Sequence, residues 1–380
     1  MSEESRRASA AYALHDADNS VAAQGRAEAV VGEDGVSVGP VSVEFLDADT
    51  LLAADYRIAI GCWPSGTLVL SQLGRRFETF AAELRRARGH ARIAGFLAHG
   101  VGSPTVFPGA VLGSGTASPV DCHLFDTHVT LLPDDADPWQ VPLGTLRGIG
   151  VEDDPPAVVL ETADGPTRIG RLARRRDEFH RALTERISSQ ASVLEGLTGS
   201  AGFADGLGVE RSRLAGFERL VGRFTSPDRA DCAEALLRAA RGGEPRLGFV
   251  QLLDIEGESL DSPSALPEHW AAFLLVPAGP LAVLEILAGP AAATYVFAAS
   301  LGDVNRDLQL LHFRRGALAL KGGEAEPVPG NPWRLALRKL EPLKRLREVT
   351  RARLVHGEGW APALERAVGG KQAPSPEKGE

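Results

Sequence analysis

Cysteine is too scarce to staple this chain. Cys62, Cys122 and Cys232 are the three in 380 residues. They lie far apart, are odd in number and form no C-x-x-C pair, so they suggest neither a disulfide framework nor a zinc site. Methionine occurs only at Met1, and lysine is sparse, nearly all the positive charge being arginine. With abundant Ala and Gly, this is the codon bias of a GC-rich bacterial genome, and it discounts the meaning of any arginine cluster. Net positive charge is missing too. The formal charge of −9 argues against a nucleic-acid partner. The opening residues, MSEESRRASAAYALHDADNS, lack an apolar h-region, so a cytoplasmic protein is the expectation.

Long apolar runs are absent with one exception. Trp270 to Ser300 carries a single charge, Glu285, over a length that could cross a bilayer. Gly-Pro breaks at Gly279-Pro280 and Gly289-Pro290 cut it into strand-length pieces, which predicts a buried β-meander.

What is present is a repeat. The composition, 44% apolar and 24% charged, is that of a folded chain. LGRRFETFAAEL (Leu73 to Leu84) returns as LARRRDEFHRAL (Leu172 to Leu183), and the two stretches align without a gap from Tyr56 to Arg88. Each copy reads as short alternating strands followed by one amphipathic helix, over about Arg75–Arg88 and Arg174–Ile187. Turns are predicted at Pro64-Ser65-Gly66 and Asp164-Gly165. A fainter third copy is TYVFAASLGDVNRDLQLLHF, where Leu301-Gly302 stands for Leu73-Gly74. The expected organisation is a flexible arm over 1–24, a first domain over 25–90 and a second over 91–190 with a preceding linker. A helical connector over 191–243 follows, with Ser226 as its N-cap, then a third domain over 244–320. A helical segment over 321–369 and a disordered tail over 370–380 complete it.

Antiparallel strands closed by one C-terminal helix, repeated through the same strand–Leu-Gly–Arg-Arg–helix junction, resemble the pleckstrin-homology superfold. The chain is similar to bacterial proteins with tandem PH-like domains. The resemblance implies an α+β fold of bent antiparallel sheets, each plugged by its helix, with a divergent β-rich third domain and a helical C-terminus. Phe80, Leu84, Phe179 and Leu183 are then structural, covering the open barrel ends. Burying each Phe is worth about 1.5–3 kcal/mol.

Arg75, Arg76, Arg174, Arg175 and Arg176 fall at helix starts, where the helix dipole disfavours cations. They are candidates for an anion or acidic-partner site; the bland alternative is a solvated, salt-bridged face. A basic stretch over residues 334–353, including Arg345 and Arg347, reads as an amphipathic helix interrupted at Pro342. It suits an anionic membrane or a partner groove, or simply packs its leucines. PH-like phosphoinositide readers place basic residues around the loop between their first two strands. The comparable loops here, taken as Gly32–Gly35 and Pro133–Pro138, are acidic, which favours protein ligands.

Aspartates at Asp16, Asp47 and Asp134 open turn-like clusters with no calcium-loop pattern. DCHLFDTH, read as one strand, puts His123 and His128 on opposite faces and so makes a poor metal site. No nucleophile elbow, phosphate loop or dinucleotide fingerprint is present. No catalytic residue, cofactor or metal is therefore expected. The leading expectation is a non-catalytic binding or scaffold protein for protein segments. Peripheral attachment to anionic lipid is the alternative, and an unrecognised enzyme the second.

Overall fold

The computed structural model describes residues 3–98, 100, 103–113, 115–133, 136–162, 165–198, 209–211, 235–236, 238–239, 246–251, 270–286, 293–311 and 326–369. Period-two alternation builds the first unit. Its strands are β1 (Arg7–His15), β2 (Val21–Val31), β3 (Gly35–Val38), β4 (Val41–Glu44), β5 (Ala48–Ala54), β6 (Arg57–Cys62) and β7 (Thr67–Ser71). They form one antiparallel sheet in the order β4-β3-β2-β1-β7-β6-β5. Ile58, Ile60, Leu68 and Leu70 point inward from β6 and β7 and are fully buried. Helix α1 (Phe77–Gly95) covers them with Phe77, Phe80, Ala81 and Leu84.

The second unit repeats this plan. It comprises β8 (Thr105–Leu112), β9 (Ala117–Leu124), β10 (His128–Pro133), β11 (Trp139–Pro142), β12 (Gly148–Asp153), β13 (Pro156–Thr162) and β14 (Gly165–Gly170). Their order, β11-β10-β9-β8-β14-β13-β12, is that of the first sheet strand for strand. Helix α2 (Arg176–Thr198) closes it, with Phe179 and Leu183 in the core. The Phe179 ring meets Phe107 of β8 at 4.9 Å between centroids.

The flexible arm expected over 1–24 is corrected. Residues 7–15 form β1, the strand that joins the two halves of the first sheet. Its fully buried side chains are Ala8 and Ala10, with Tyr12 and Leu14 partly buried on the same core, and the alanines give a weak apolar signal and carry little strand propensity. Pairing with both β2 and β7 overrides that. The linker expected before the second domain likewise contains β8, which holds the same central place. Both closing helices run longer than their apolar stripes indicated.

The third unit has a different path. Among the described residues its sheet has six strands in sequential order: β15 (Val209–Arg211), β16 (Arg246–Gln251), β17 (Trp270–Ala278), β18 (Leu281–Ile286), β19 (Ala293–Phe297) and β20 (Thr350–Val355). The Gly-Pro-punctuated run is the meander expected, and no helix among the described residues is long and apolar enough to cross a membrane. Helices α3 (Leu301–Leu310), α4 (Arg334–Lys339) and α5 (Glu341–Val349) are inserted between β19 and β20, and α6 (Trp360–Gly369) follows β20. The basic stretch is therefore not one interrupted helix: its last residues, including Arg351 and Arg353, are strand. Because β20 (350–355) pairs with β19 in the third sheet, the stretch expected as one helical segment is broken by a strand, and only α6 beyond it is helix again. Ser226, the expected connector N-cap, and the tail 370–380 lie outside the described residues.

The third junction also differs from the other two. Leu73 and Leu172 are each flanked by two left-handed residues, Gln72 and Gly74 in one unit and Arg171 and Ala173 in the other. Ser300-Leu301-Gly302 has none. There Ser300 Oγ accepts the Asp303 amide at 3.2 Å and donates to the Asp303 carboxylate at 2.6 Å, an ordinary N-cap.

The large curled antiparallel sheets and few helices make this an α+β protein.

Candidate functional site

The arginines at the helix starts are placed by the junction geometry just described. Arg75 and Arg174 are exposed. Arg76 donates to the Glu4 carbonyl at 2.5 Å and to the Glu4 carboxylate at 2.6 Å, tying the chain start to the helix start. Arg175 pairs with Glu178 at 3.0 Å, donates to the Val106 carbonyl at 2.9 Å and lies 4.3 Å over the Phe107 ring. Arg176 meets Asp153 at 3.0 Å and Asp177 at 3.2 Å. Hydrogen bonds to these carboxylates raise the Arg175 and Arg176 guanidinium pKa values. The carboxylates that offset the misplaced cations thus come from the turn before β1, from the end of β12 and from the first turn of α2. Arg345 is paired with Asp307 of α3 at 2.6 Å, and burial lowers the Arg347 guanidinium pKa. The structure does not gather the seven arginines into one site.

The acidic loops are also relocated. Gly32–Gly35 joins β2 to β3, and residues 133–138 join β10 to β11. The loops after the first strand of each unit are residues 16–20, DADNS, and 113–116, GSGT. The first is acidic and the second uncharged.

What the structure does gather is the corner between β4 and β5. Three short-range carboxylates, Glu44, Asp47 and Asp49, face α4 there. Arg334 donates to Asp47 at 2.5 Å and also pairs with Glu44. Arg338 forks onto Asp49 at 2.9 and 3.0 Å, donates to the Leu46 carbonyl at 2.9 Å and covers the Trp63 ring at 4.4 Å. Lys339 adds a contact to Asp49 at 3.1 Å. Burial pushes the Asp49 carboxyl up, but the Lys339 and Arg338 hydrogen bonds outweigh it and hold the group below the ordinary range. Leu335 is fully buried beside Ile93, Phe96 and Leu46, with Leu132 of the second unit in the same small cluster. Gly95 permits that approach: a Cβ there would fall 2.5 Å from Leu46 and 2.8 Å from Leu335.

The same region joins the first two units. Arg92 of α1 is fully buried, donates to the Ala48 carbonyl at 3.0 Å and pairs with Asp137 of the second unit. His123 and His128, expected on opposite faces of one strand, lie on β9 and β10, because a turn intervenes. His123 pairs in register with Thr130, two residues from His128, so all three share a sheet face. His128 Nε2 lies 3.1 Å from the Ala98 carbonyl, and Thr130 donates to the same oxygen. The His123 ring meets His90 of α1 edge-on at 5.4 Å. Burial, helped by His90, lowers the His123 pKa to about 4. Among the described residues, no group of three or more His, Cys, Asp or Glu side chains could hold a metal ion.

Sequence reasoning missed a buried network in the third unit. Glu285, the single charge of the apolar run, lies 2.5 Å from His356 Nε2 and accepts the Thr294 hydroxyl at 2.5 Å. Trp360 Nε1 donates to Thr294 Oγ1 at 2.7 Å, and the His356 ring stacks on Trp360. One charge in an otherwise apolar run was the available signal. His356 Nε2 faces both the carboxylate and, at 3.4 Å, the hydroxyl. This arrangement pins α6 to β18 and β19.

Among the described residues several end strands carry exposed apolar side chains, including Trp139 of β11 and Val355 of β20. On β5, Leu51 and Ala53 pack on the core while Thr50, Leu52 and Ala54 face outward. Leu52 is 66% exposed and Tyr56, in the following turn, is 72% exposed. Tyr56 sits 5.4 Å from Phe77 at the start of α1. The corresponding end strand of the second unit, β12, exposes Val151.

The chain matches no protein-family model, and no curated protein matches it.

Proposed function

We propose that this is a non-catalytic scaffold whose first two units are PH-like domains that bind extended protein segments. The strand order β4-β3-β2-β1-β7-β6-β5 with a helix following the last strand, repeated in full by the second unit, supports the PH-like reading. The observation that carries the binding function is the end strand β5, where Leu52 and Tyr56 project into solvent beside α1. An end strand offers unpaired backbone groups to an added strand, and exposed apolar side chains give it selectivity. The candidate arginines serve this function as structural pairs, since most of them already face carboxylates.

A peptide library displayed on phage and selected on the full chain tests the reading. Enriched peptides should share an extended apolar pattern and lose at least about tenfold in affinity to a Leu52→Lys, Tyr56→Ser variant. No enrichment, or binding indifferent to the two substitutions, overturns it.

A further inference from the structure

The β4–β5 corner of the first unit is built to hold a particular kind of helix, and α4 already sits in it. Leu335 anchors the contact in an apolar slot between Leu46, Ile93 and Phe96. Arg334, Arg338 and Lys339 surround it, opposite Glu44, Asp47 and Asp49. The two remaining cations at the corner, Arg88 and Arg92, are turned to backbone carbonyls of Ala48 and Asp49 and to Asp137, leaving the three carboxylates to α4. Arg334 is almost wholly buried, whereas Glu44 is 59% exposed on the same contact. The opposite side of α4, through Ala336 and Leu337, packs into the third core. Thus α4 packs into the third core with one side and presents Leu335 and its flanking cations to the first unit. Leu340 is extended, and Pro342 follows it at the start of α5, so the chain breaks immediately after the contact. The contact between the units thus pairs a buried apolar anchor with complementary charge, the combination by which a groove selects a basic amphipathic helix.

We propose that the first unit carries a docking site for basic amphipathic helical segments of the form Arg-Leu-x-x-Arg-Lys, and that α4 occupies it in cis. Segments of the same chemistry from another protein compete for the corner when α4 leaves. This site lies beside the outward row Thr50–Leu52–Ala54 and does not depend on strand addition there. Its failure and that of the β5 reading are therefore separable.

The test uses the full chain carrying Arg334→Glu and Arg338→Glu, which repel α4 from the acidic corner. The probe is a fluorescein-labelled synthetic peptide of residues 331–341, followed by fluorescence anisotropy at low salt. The variant should bind the peptide saturably and at least about tenfold more tightly than the wild-type chain, whose site is filled. Adding Asp49→Lys to the variant should abolish that binding, and about 0.5 M salt should weaken it strongly. Equal or absent binding in the two chains, or binding insensitive to Asp49→Lys, overturns the proposal. So does loss of the folded circular-dichroism signal in the charge-reversed variant, because the site must stand without α4.

Discussion

Gln72 and Arg171 stand 99 residues apart and hold the same backbone conformation, each with φ +57°. Two residues further on, Gly74 and Ala173 are again both left-handed, at +58° and +49°. Between them Leu73 and Leu172 are buried with φ −71° and −72°. The chain thus makes one bend twice, driving a leucine into the core before the helix starts. Left-handed backbone costs an L-residue with a Cβ about 1–2 kcal/mol, and glycine avoids most of it.

Ala173→Gly should therefore stabilise the second unit by about 1 kcal/mol, and Gly74→Ala should destabilise the first by a similar amount. A Cβ on Gly74 would meet nothing within 4 Å, so the change isolates the backbone. Urea unfolding of the two variants checks this. Opposite signs are expected, and the same sign for both would remove the left-handed bend as the cause.

The closing helices carry the second prediction. Phe80 and Phe179 are fully buried at matching positions, under sheets of the same order. Phe→Ala at either should cost about 3–5 kcal/mol, while Arg75→Ala or Arg174→Ala, on exposed positions of the same junctions, should stay within about 0.5 kcal/mol. Denaturant midpoints for the four variants measure the contrast. Losses of equal size at Phe and Arg positions would mean that the helices do not close the sheets in this way.

Much of this was legible beforehand because it rests on period and spacing. The inward rows Ile58/Ile60 and Leu68/Leu70 alternate strictly, and Phe80 and Leu84 lie one helical turn apart. The β1 strand was not legible, because its buried side chains are alanines and its polar neighbours suit a loop equally well. Nor was β20: TRARL follows a basic amphipathic helix without any turn residue, and only pairing with β19 makes it a strand. The corner site needed tertiary information of another kind. Asp47 and Asp49 read as turn residues, and their cationic partners lie nearly 290 residues further along the chain. Glu285 announced itself as an isolated charge, yet nothing in the sequence pointed to His356 as its partner.

That buried network gives the third prediction. Glu285 is 2% exposed, and both its oxygens are engaged, one by Thr294 and one by His356. Glu285→Leu leaves His356 and the Thr294 hydroxyl without their acceptor and should cost about 3–5 kcal/mol. Thr294→Val keeps the shape but strands the Trp360 N–H, for about 1–3 kcal/mol. The Trp360 near-ultraviolet dichroism should change in both variants, since the indole is held through the threonine. A Glu285→Leu chain as stable as wild type would show that the pair does not fasten α6 to the sheet.

His123 links pH to the contact between the first two units. It faces His90 from α1, which in turn feels Arg86, Asp121 from its own strand and Thr130 from β10. Burial, then repulsion from His90, lowers its pKa from the ordinary 6.5 to about 4, against a smaller raising effect from Asp121. The folded imidazole therefore refuses a proton that the unfolded one accepts between those values. Its stability contribution is complete above pH 6.5, falls as pH drops toward about 4, and changes no further below that. At roughly 1.4 kcal/mol per pKa unit, the loss across this window is on the order of 3 kcal/mol. His90, also lowered first by burial, acts in the same direction. Urea midpoints of wild type and His123→Leu at about pH 7, 5.5 and 4.5 should converge toward the acid end or cross, because the variant lacks the titrating group. A difference between the two chains that stays constant with pH would refute the linkage and leave His123 as packing alone.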